Sequence, residues 1–376
     1  MRPRSPDEEH RATTPLELFF DLVFVVAIAQ AGSHLHHAIS AGHVAEGLVN
    51  YLMVFFAIWW AWMNFTWFAS AYDTDDVPYR LAVFVQIAGS LILAAGVPRA
   101  FDVRDFSIVA IGYVVMRLAL VGQWLRAARS DPGRRACDLR YAVGVAAIQL
   151  GWLALLALPG TIAPAGFLLL AIAELLVPAW AERKGPTTWH PGHIAERYGL
   201  FTIIVLGESV LAASFATQAA FEAGHRGLGT IVVGGLLTVF SMWWLYFDHP
   251  MHGLLITLPR AFVWGYGHFA IFASAAAVGA GLGVAVDYAT GEAAIGAVGA
   301  GAAVAWPVAI YLFGLWGVHL GLRADLPRGA GLTLLAAVLI LATPWTSQPV
   351  LLTGLIGAGL LAIKLVLRHR GAAATL

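Results

Sequence analysis

Glu17 and Asp21 stand four positions apart in the stretch T-P-L-E-L-F-F-D-L-V-F-V-V-A-I-A-Q, which runs from Thr14 to Gln30. At that spacing both side chains leave one face of a helix, and Phe24 and Ile28 continue the same stripe. An acid inside a membrane span costs several kcal/mol unless it is paired or wetted, so this face is expected to look into the protein. Two chemistries fit it. One is a proton or cation site at the inner mouth of a pathway. The other is structural: Glu17 caps the helix start, where the macrodipole favours an acid, and Asp21 bonds a neighbouring helix. Arg80 and Arg197 are the arginines placed to oppose the repulsion between the two carboxylates.

Glu208 is the deepest acid, about ten residues into its apolar segment, and Arg117 lies about twelve residues into another. At about 1.5 Å of rise per residue, both reach the region of the midplane. The sequence predicts a Glu208–Arg117 pair, serving either as a fixed structural bond or as an element of transport. Glu174 and His268 add two titratable groups inside apolar segments. Imidazole has the range for proton handling, and a lone membrane histidine also serves as a hydrogen-bonded packing residue.

A further set lies at the inner ends of the segments. Asp73, Asp75 and Asp76 form D-T-D-D, with Arg80 just beyond. This cluster suits a divalent cation or Mg-phosphate site, a gate salt bridge, or a turn and helix cap. Asp73 and Arg80 have counterparts in Asp248 and Arg260, which favours structural ion pairs over a metal. Glu196 and Arg197 follow His190 and His193 in the central inner loop, while His34, His36, His37 and His43 cluster at the outer end of the first hairpin. H-x-x-H without the H-E-x-x-H spacing is a weak metal signal. No metal or other cofactor is expected.

The elements that hold these residues follow from composition. The chain has 376 residues, 60% hydrophobic and 12% charged, against roughly 45–50% and 25% in a soluble domain. Net charge is zero, which leaves no nucleic-acid footprint. Cys137 is the only cysteine, so no intrachain disulfide forms. About 20 apolar residues cross a hydrocarbon core as a helix. Twelve such segments are predicted, at 16–37, 46–71, 79–97, 106–127, 139–158, 161–181, 198–217, 227–247, 261–284, 296–320, 329–344 and 348–366. The last two are short, and a re-entrant hairpin is the alternative there. The mixed-charge N-terminus reads as leading into an uncleaved first helix rather than a signal peptide.

Of the 22 Lys and Arg, 18 fall at the N-terminus, the even-to-odd loops and the C-terminus, and three in the odd-to-even loops. The positive-inside rule then puts both termini in the cytoplasm. The halves look alike: Glu17 corresponds to Glu196, Asp73 to Asp248 and Arg80 to Arg260. With six helices per half the repeats are parallel. The expected fold class is all-α, a polytopic membrane protein of about 12 helices in two parallel six-helix repeats. Its parts are an inner tail at 1–15, a first repeat at 16–181, an inner linker at 182–197, a second repeat at 198–367 and an inner tail at 368–376.

E-L-F-F-D-L-V-F-V at Glu17–Val25, Y-D-T-D-D-V-P-Y-R at Tyr72–Arg80 and E-R-Y-G-L-F-T-I-I-V-L-G-E-S-V at Glu196–Val210 resemble the signature stretches of the bacterial low temperature requirement protein A (LtrA) family. The resemblance covers nearly the whole chain. It implies an integral protein of the bacterial plasma membrane, and the family name records growth in the cold rather than a reaction. Three functions stay open. A secondary transporter of a small solute, in one form proton-coupled, rests on the 6+6 repeat and the intramembrane acids. A cation or proton channel rests on the acidic face of the first helix. A lipid-binding protein or enzyme rests on the inner Asp cluster. The grouped Trp59, Trp60, Trp62, Trp67, Trp243 and Trp244 suit interfacial belts and packing, or else an aromatic ligand pocket. Expected partners are membrane lipid and a small solute or ion, with no nucleic acid; oligomerisation is left open.

Overall fold

The computed structural model describes the chain except residues 2, 6, 7, 10, 159–162, 223, 225–227, 249–252, 254, 256, 321, 324–328 and 374–376, and the side chains of 219 and 370–373. Arg2, Arg226 and Arg328, which enter the charge split, lie outside the described residues. Without water to satisfy backbone groups, an apolar chain closes its hydrogen bonds within each segment as helix. The described residues form twelve α-helices: α1 Pro15–Ser40, α2 Val44–Tyr72, α3 Val77–Asp102, α4 Ser107–Ser130, α5 Arg135–Leu156, α6 Ala163–Ala181, α7 Pro191–Glu222, α8 Gly229–Phe247, α9 Leu258–Thr290, α10 Ala297–Leu315, α11 Ala330–Ala342 and α12 Pro349–Ala373. Eleven of them, all but α11, are long and apolar enough to cross a membrane. The protein is an all-helical, polytopic membrane protein. With 13 residues, α11 reaches only about 20 Å at the helical rise. A single turn of 3-10 helix at Thr343–Trp345 follows it.

Helix ends are set by local chemistry. Thr14 and Glu17 form a capping box at the start of α1: Glu17 Oε2 accepts from Thr14 N at 2.8 Å, and the Glu17 N–H donates to Thr14 Oγ1 at 3.3 Å. Asp76 caps α3, accepting from Tyr79 N at 3.0 Å. Gly291, at φ 82°, ends α9 and returns its N–H to the last turn. Pro191 opens α7, where a proline loses no helical hydrogen bond. This helix starts seven residues before the predicted boundary at 198, so His193, Glu196 and Arg197 lie on a helix and not in a linker.

The chain divides into two compact units, Met1–Ala31 with Asn50–Leu200, and Gly32–Val49 with Phe201–Leu376. Small residues set the close approaches inside each. In the first, Gly89 of α3 meets Gly112 of α4, where an added Cβ would stand 2.8 Å from the Gly112 carbonyl oxygen. In the second, a Cβ on Gly281 of α9 would collide with the Ala303 backbone of α10. Gly281→Val is expected to cost about 3 kcal/mol, the upper end for overpacking. Gly207, with open space around its Cα, should accept Ala with no loss. Thermal melting of the two purified variants checks this pair of outcomes.

Candidate functional site

Glu17 engages both of its carboxylate oxygens. Oε2 closes the capping box and also takes the hydrogen bond of His193 Nε2 at 3.3 Å, while Oε1 lies 3.2 Å from Arg197 Nη1, 3.2 Å from His193 Nε2 and 3.7 Å from Arg11 Nη2. One turn on, Asp21 is held by both Nε, at 2.9 Å, and Nη2 of Arg197, and accepts from Trp62 Nε1 at 2.7 Å. The α7 arginine, rather than Arg80, thus bridges both acids of α1. Glu17, Asp21, His193 and Arg197 are fully enclosed. Both structural roles read for this stretch, cap and interhelical bond, are present.

Arg11 comes from the segment before α1. Its Nη1 and Nη2 donate to the carbonyls of Ser70 and Ala69 at 2.6 and 2.8 Å, satisfying the end of α2, and Nη2 lies 3.7 Å from Asp73. A guanidinium only donates, so its 3.0 Å contact with His193 Nδ1 makes that nitrogen an acceptor and leaves the imidazole proton on Nε2, facing Glu17. With a neutral His193, three carboxylates face two guanidiniums. Asp73, just past the end of α2, is where the imbalance shows. Burial pushes its carboxyl up from the ordinary value, Glu17 adds to the shift, and Arg11 opposes it.

The first unit holds a second buried carboxylate. Glu174 of α6 receives five donors. Oε1 accepts from Tyr113 at 2.9 Å and from Gln149 and Trp152, each at 3.3 Å; Oε2 accepts from Trp60 at 2.9 Å and Arg117 at 2.6 Å. The partner predicted for Arg117 was Glu208. The structure gives it Glu174 instead, at 2.6 Å, because α4 packs on α5 and α5 on α6.

In the second unit, Glu208 of α7 is 8% exposed. Its carboxyl lies beside Gly32, where an added Cβ would stand 3.9 Å from Oε2. Among the described residues no hydrogen bond or ion pair reaches it. His268 of α9 donates from Nδ1 to the Trp264 carbonyl at 2.7 Å, so its Nε2 accepts. Tyr246 Oη lies 3.0 Å from that nitrogen and His319 Nε2 lies 3.3 Å from it. His319 sits on the π-helical turn Trp316–Leu320 that extends α10, a geometry frequent at functional sites. His36, one of the first-hairpin histidines, meets Asp287 at 2.7 Å.

The other residues expected at the inner face separate into local pairs. Arg80 binds Asp75 at 2.7 Å, Asp76 pairs with Arg126, and Asp248 pairs with Arg368 at 2.6 Å. Arg260 is exposed. Glu196 accepts weakly from Thr13 N at 3.4 Å. The expected correspondence of Asp73 with Asp248 and of Arg80 with Arg260 is therefore not matched by equivalent partners. No group of three or more His, Cys, Asp and Glu among the described residues is arranged to hold a metal. Sequence reasoning missed Arg11 and His319, and it grouped Trp62 with the other tryptophans without its bond to Asp21. It also missed Tyr72, which lies 3.1 Å from both Asp131 and Asp138.

Residues 12–367 match the family described as Bacterial low temperature requirement A protein (LtrA). An uncharacterized protein of Rhizobium meliloti (strain 1021) is 31% identical to this chain over 257 residues, covering 64% of this chain and 59% of that protein. The match thus spans under two thirds of the relative's length.

Two outcomes follow for these clusters. Arg117→Met strips Glu174 of its cation and is expected to cost about 3–5 kcal/mol, the range for breaking a buried pair from one side. Arg117→Met with Glu174→Gln should cost less than Arg117→Met alone, as a chemical-denaturation cycle would show. For Asp73, the folded protein holds a proton that the unfolded chain has released, in the window between the ordinary carboxylate value and the raised one. Stability therefore falls as pH rises through that window. Asp73→Asn should flatten the decline, measured as melting temperature from about pH 4 to 8, a range that starts near the ordinary carboxylate value.

Proposed function

The chain belongs to the bacterial low temperature requirement A family, and within it we propose a proton-coupled secondary transporter of a small solute, with Glu208 as the proton-carrying group. The observation that carries this reading is the contrast among the intramembrane acids. Glu17, Asp21 and Glu174 are each bound by an arginine and by further donors. Glu208 is enclosed, on a membrane-spanning helix, without such a partner among the described residues. A carboxylate in that setting is costly, and a proton or a passing cation is what relieves the cost. The channel reading loses its sequence basis, since the acidic face of α1 is occupied by Arg11, His193, Arg197 and Trp62.

The same reading includes the bacterial plasma membrane as the location, with both termini in the cytoplasm, supported by the 18 to three split of basic residues. It also keeps two parallel six-helix repeats, supported by the aligned Glu17 and Glu196 stretches. Membrane lipid and the transported solute are its partners.

The test uses proteoliposomes with a pH-reporting dye inside and an imposed inside-negative potential, scanned against a panel of small solutes. Wild type should take up protons when one solute is present, and Glu208→Gln should not. Glu208→Gln should melt within about 1 kcal/mol of wild type, since it breaks no ion pair. Dicyclohexylcarbodiimide, which modifies protonated carboxyls in apolar surroundings, should label Glu208 faster as pH falls. Solute-dependent proton uptake that persists in folded Glu208→Gln would overturn the assignment.

A further inference from the structure

Tyr113 and Trp152, two of the donors to Glu174, also line a cavity of about 210 Å³ in the first unit, between α2, α4, α5 and α6. Phe56, Phe106, Tyr113, Trp152 and Phe167 line it. The rings form a continuous wall: Phe56 to Phe167 is 5.8 Å between centroids, Phe167 to Trp152 is 5.1 Å and Trp152 to Tyr113 is 6.2 Å, all edge to face.

Three features define what fits. Size comes first. An apolar cavity of about 150 Å³ holds benzene, so this one has room for one or two fused rings. Charge comes second. Glu174 is matched by Arg117 behind the wall, and the α3–α4 end carries Arg99 and Arg104 against Asp102 and Asp105, with Arg99 bound to Asp105 at 2.6 Å. Among the described residues, no excess charge of either sign faces an occupant. Hydrogen bonding comes third. The Tyr113 hydroxyl and the Trp152 N–H are both given to Glu174, so these residues present ring surface rather than donors. The polar atoms of the lining are at one end, where Arg104, Asp105 and Ser107 join α3 to α4. There Arg104 takes φ 55°, a left-handed conformation that costs a non-glycine residue energy and recurs at ligand clamps.

We propose that this cavity binds a compact, uncharged aromatic solute of one or two rings, entering past the Arg104–Ser107 turn. Edge-to-face and offset contacts with five surrounding rings supply the recognition, and the absence of net charge excludes organic ions. The proposal does not depend on proton coupling through Glu208, because binding is measured without flux.

The probe is 1-naphthol, titrated onto the full-length protein in lipid nanodiscs with empty nanodiscs as the partition control. A saturable component of one molecule per chain is expected. Ala110→Phe, which fills the cavity, should weaken it at least tenfold. Ala57→Leu, a smaller filling on the opposite helix, should weaken it severalfold and serves if the larger side chain prevents folding. Trp152→Phe keeps the ring surface and should retain binding within about threefold. Benzoate, an anion of similar size, should not compete. Three results would overturn the proposal: no saturable binding to wild type, equal binding to both filled variants, or a co-purifying lipid acyl chain that 1-naphthol cannot displace and that the filled variants lack.

Discussion

A carboxylate placed in a hydrocarbon interior must be answered by a cation, by several donors, or by a proton. That requirement organises the first unit. Arg197 answers Glu17 and Asp21 together, and to do so α7 must begin early enough to bring its second turn level with the start of α1. Arg11 is then drawn from the N-terminal segment into the same cluster, where it also satisfies the last carbonyls of α2. Glu17 serves local and tertiary structure at once, capping its own helix and facing the ion cluster. Charge pairing of this kind is not cheap stability, since desolvation consumes much of the attraction. Its effect is specificity: this arrangement sets both buried arginines against carboxylates.

Glu174 meets the same requirement by another route. One cation and four neutral donors share its two oxygens, and two of those donors belong to tryptophans on α2 and α5. Because the polar ends of Tyr113, Trp60 and Trp152 all point at one carboxylate, their ring surfaces are left to pack against one another and against phenylalanines. The carboxylate therefore orders an aromatic wall without sharing its charge with the space beyond that wall.

Much of this was legible in the sequence as element types, less as partners. Apolar runs mark the helices because length and hydropathy act within a segment. Glu17 and Asp21 mark an inward face because their spacing is a property of one helix, and Arg197 was one of two arginines named to oppose them. The partner of Arg117 was not legible. Glu174 and Glu208 both lie deep in their segments, and depth cannot distinguish them; only the packing order of α4, α5 and α6 does. Arg11 was hidden for a similar reason, since nothing in H-R-A-T-T announces a buried guanidinium. The early start of α7 was obscured by the polar run K-G-P-T-T-W-H-P, whose last proline begins the helix instead of ending a loop.

What an acid can do depends on what already holds it. Asp21, bound by two nitrogens of one guanidinium and an indole N–H, can exchange a proton only after those bonds part, and parting them strands Arg197 in the interior. Glu174 would have to release five donors. Such groups are held in place, which suits a scaffold. Glu208 has no bond of that kind to break among the described residues. Its surroundings are small or already satisfied: Gly32 leaves space at its carboxyl, and Ser209 beside it gives its hydroxyl to the Ala275 carbonyl at 2.8 Å. Neutralising Glu208 therefore disturbs no other pair, and recharging it leaves no arginine unmatched. Any group that exchanges a proton with little disturbance to its neighbours needs that independence, and among the acids Glu17, Asp21, Glu174 and Glu208 it belongs to Glu208.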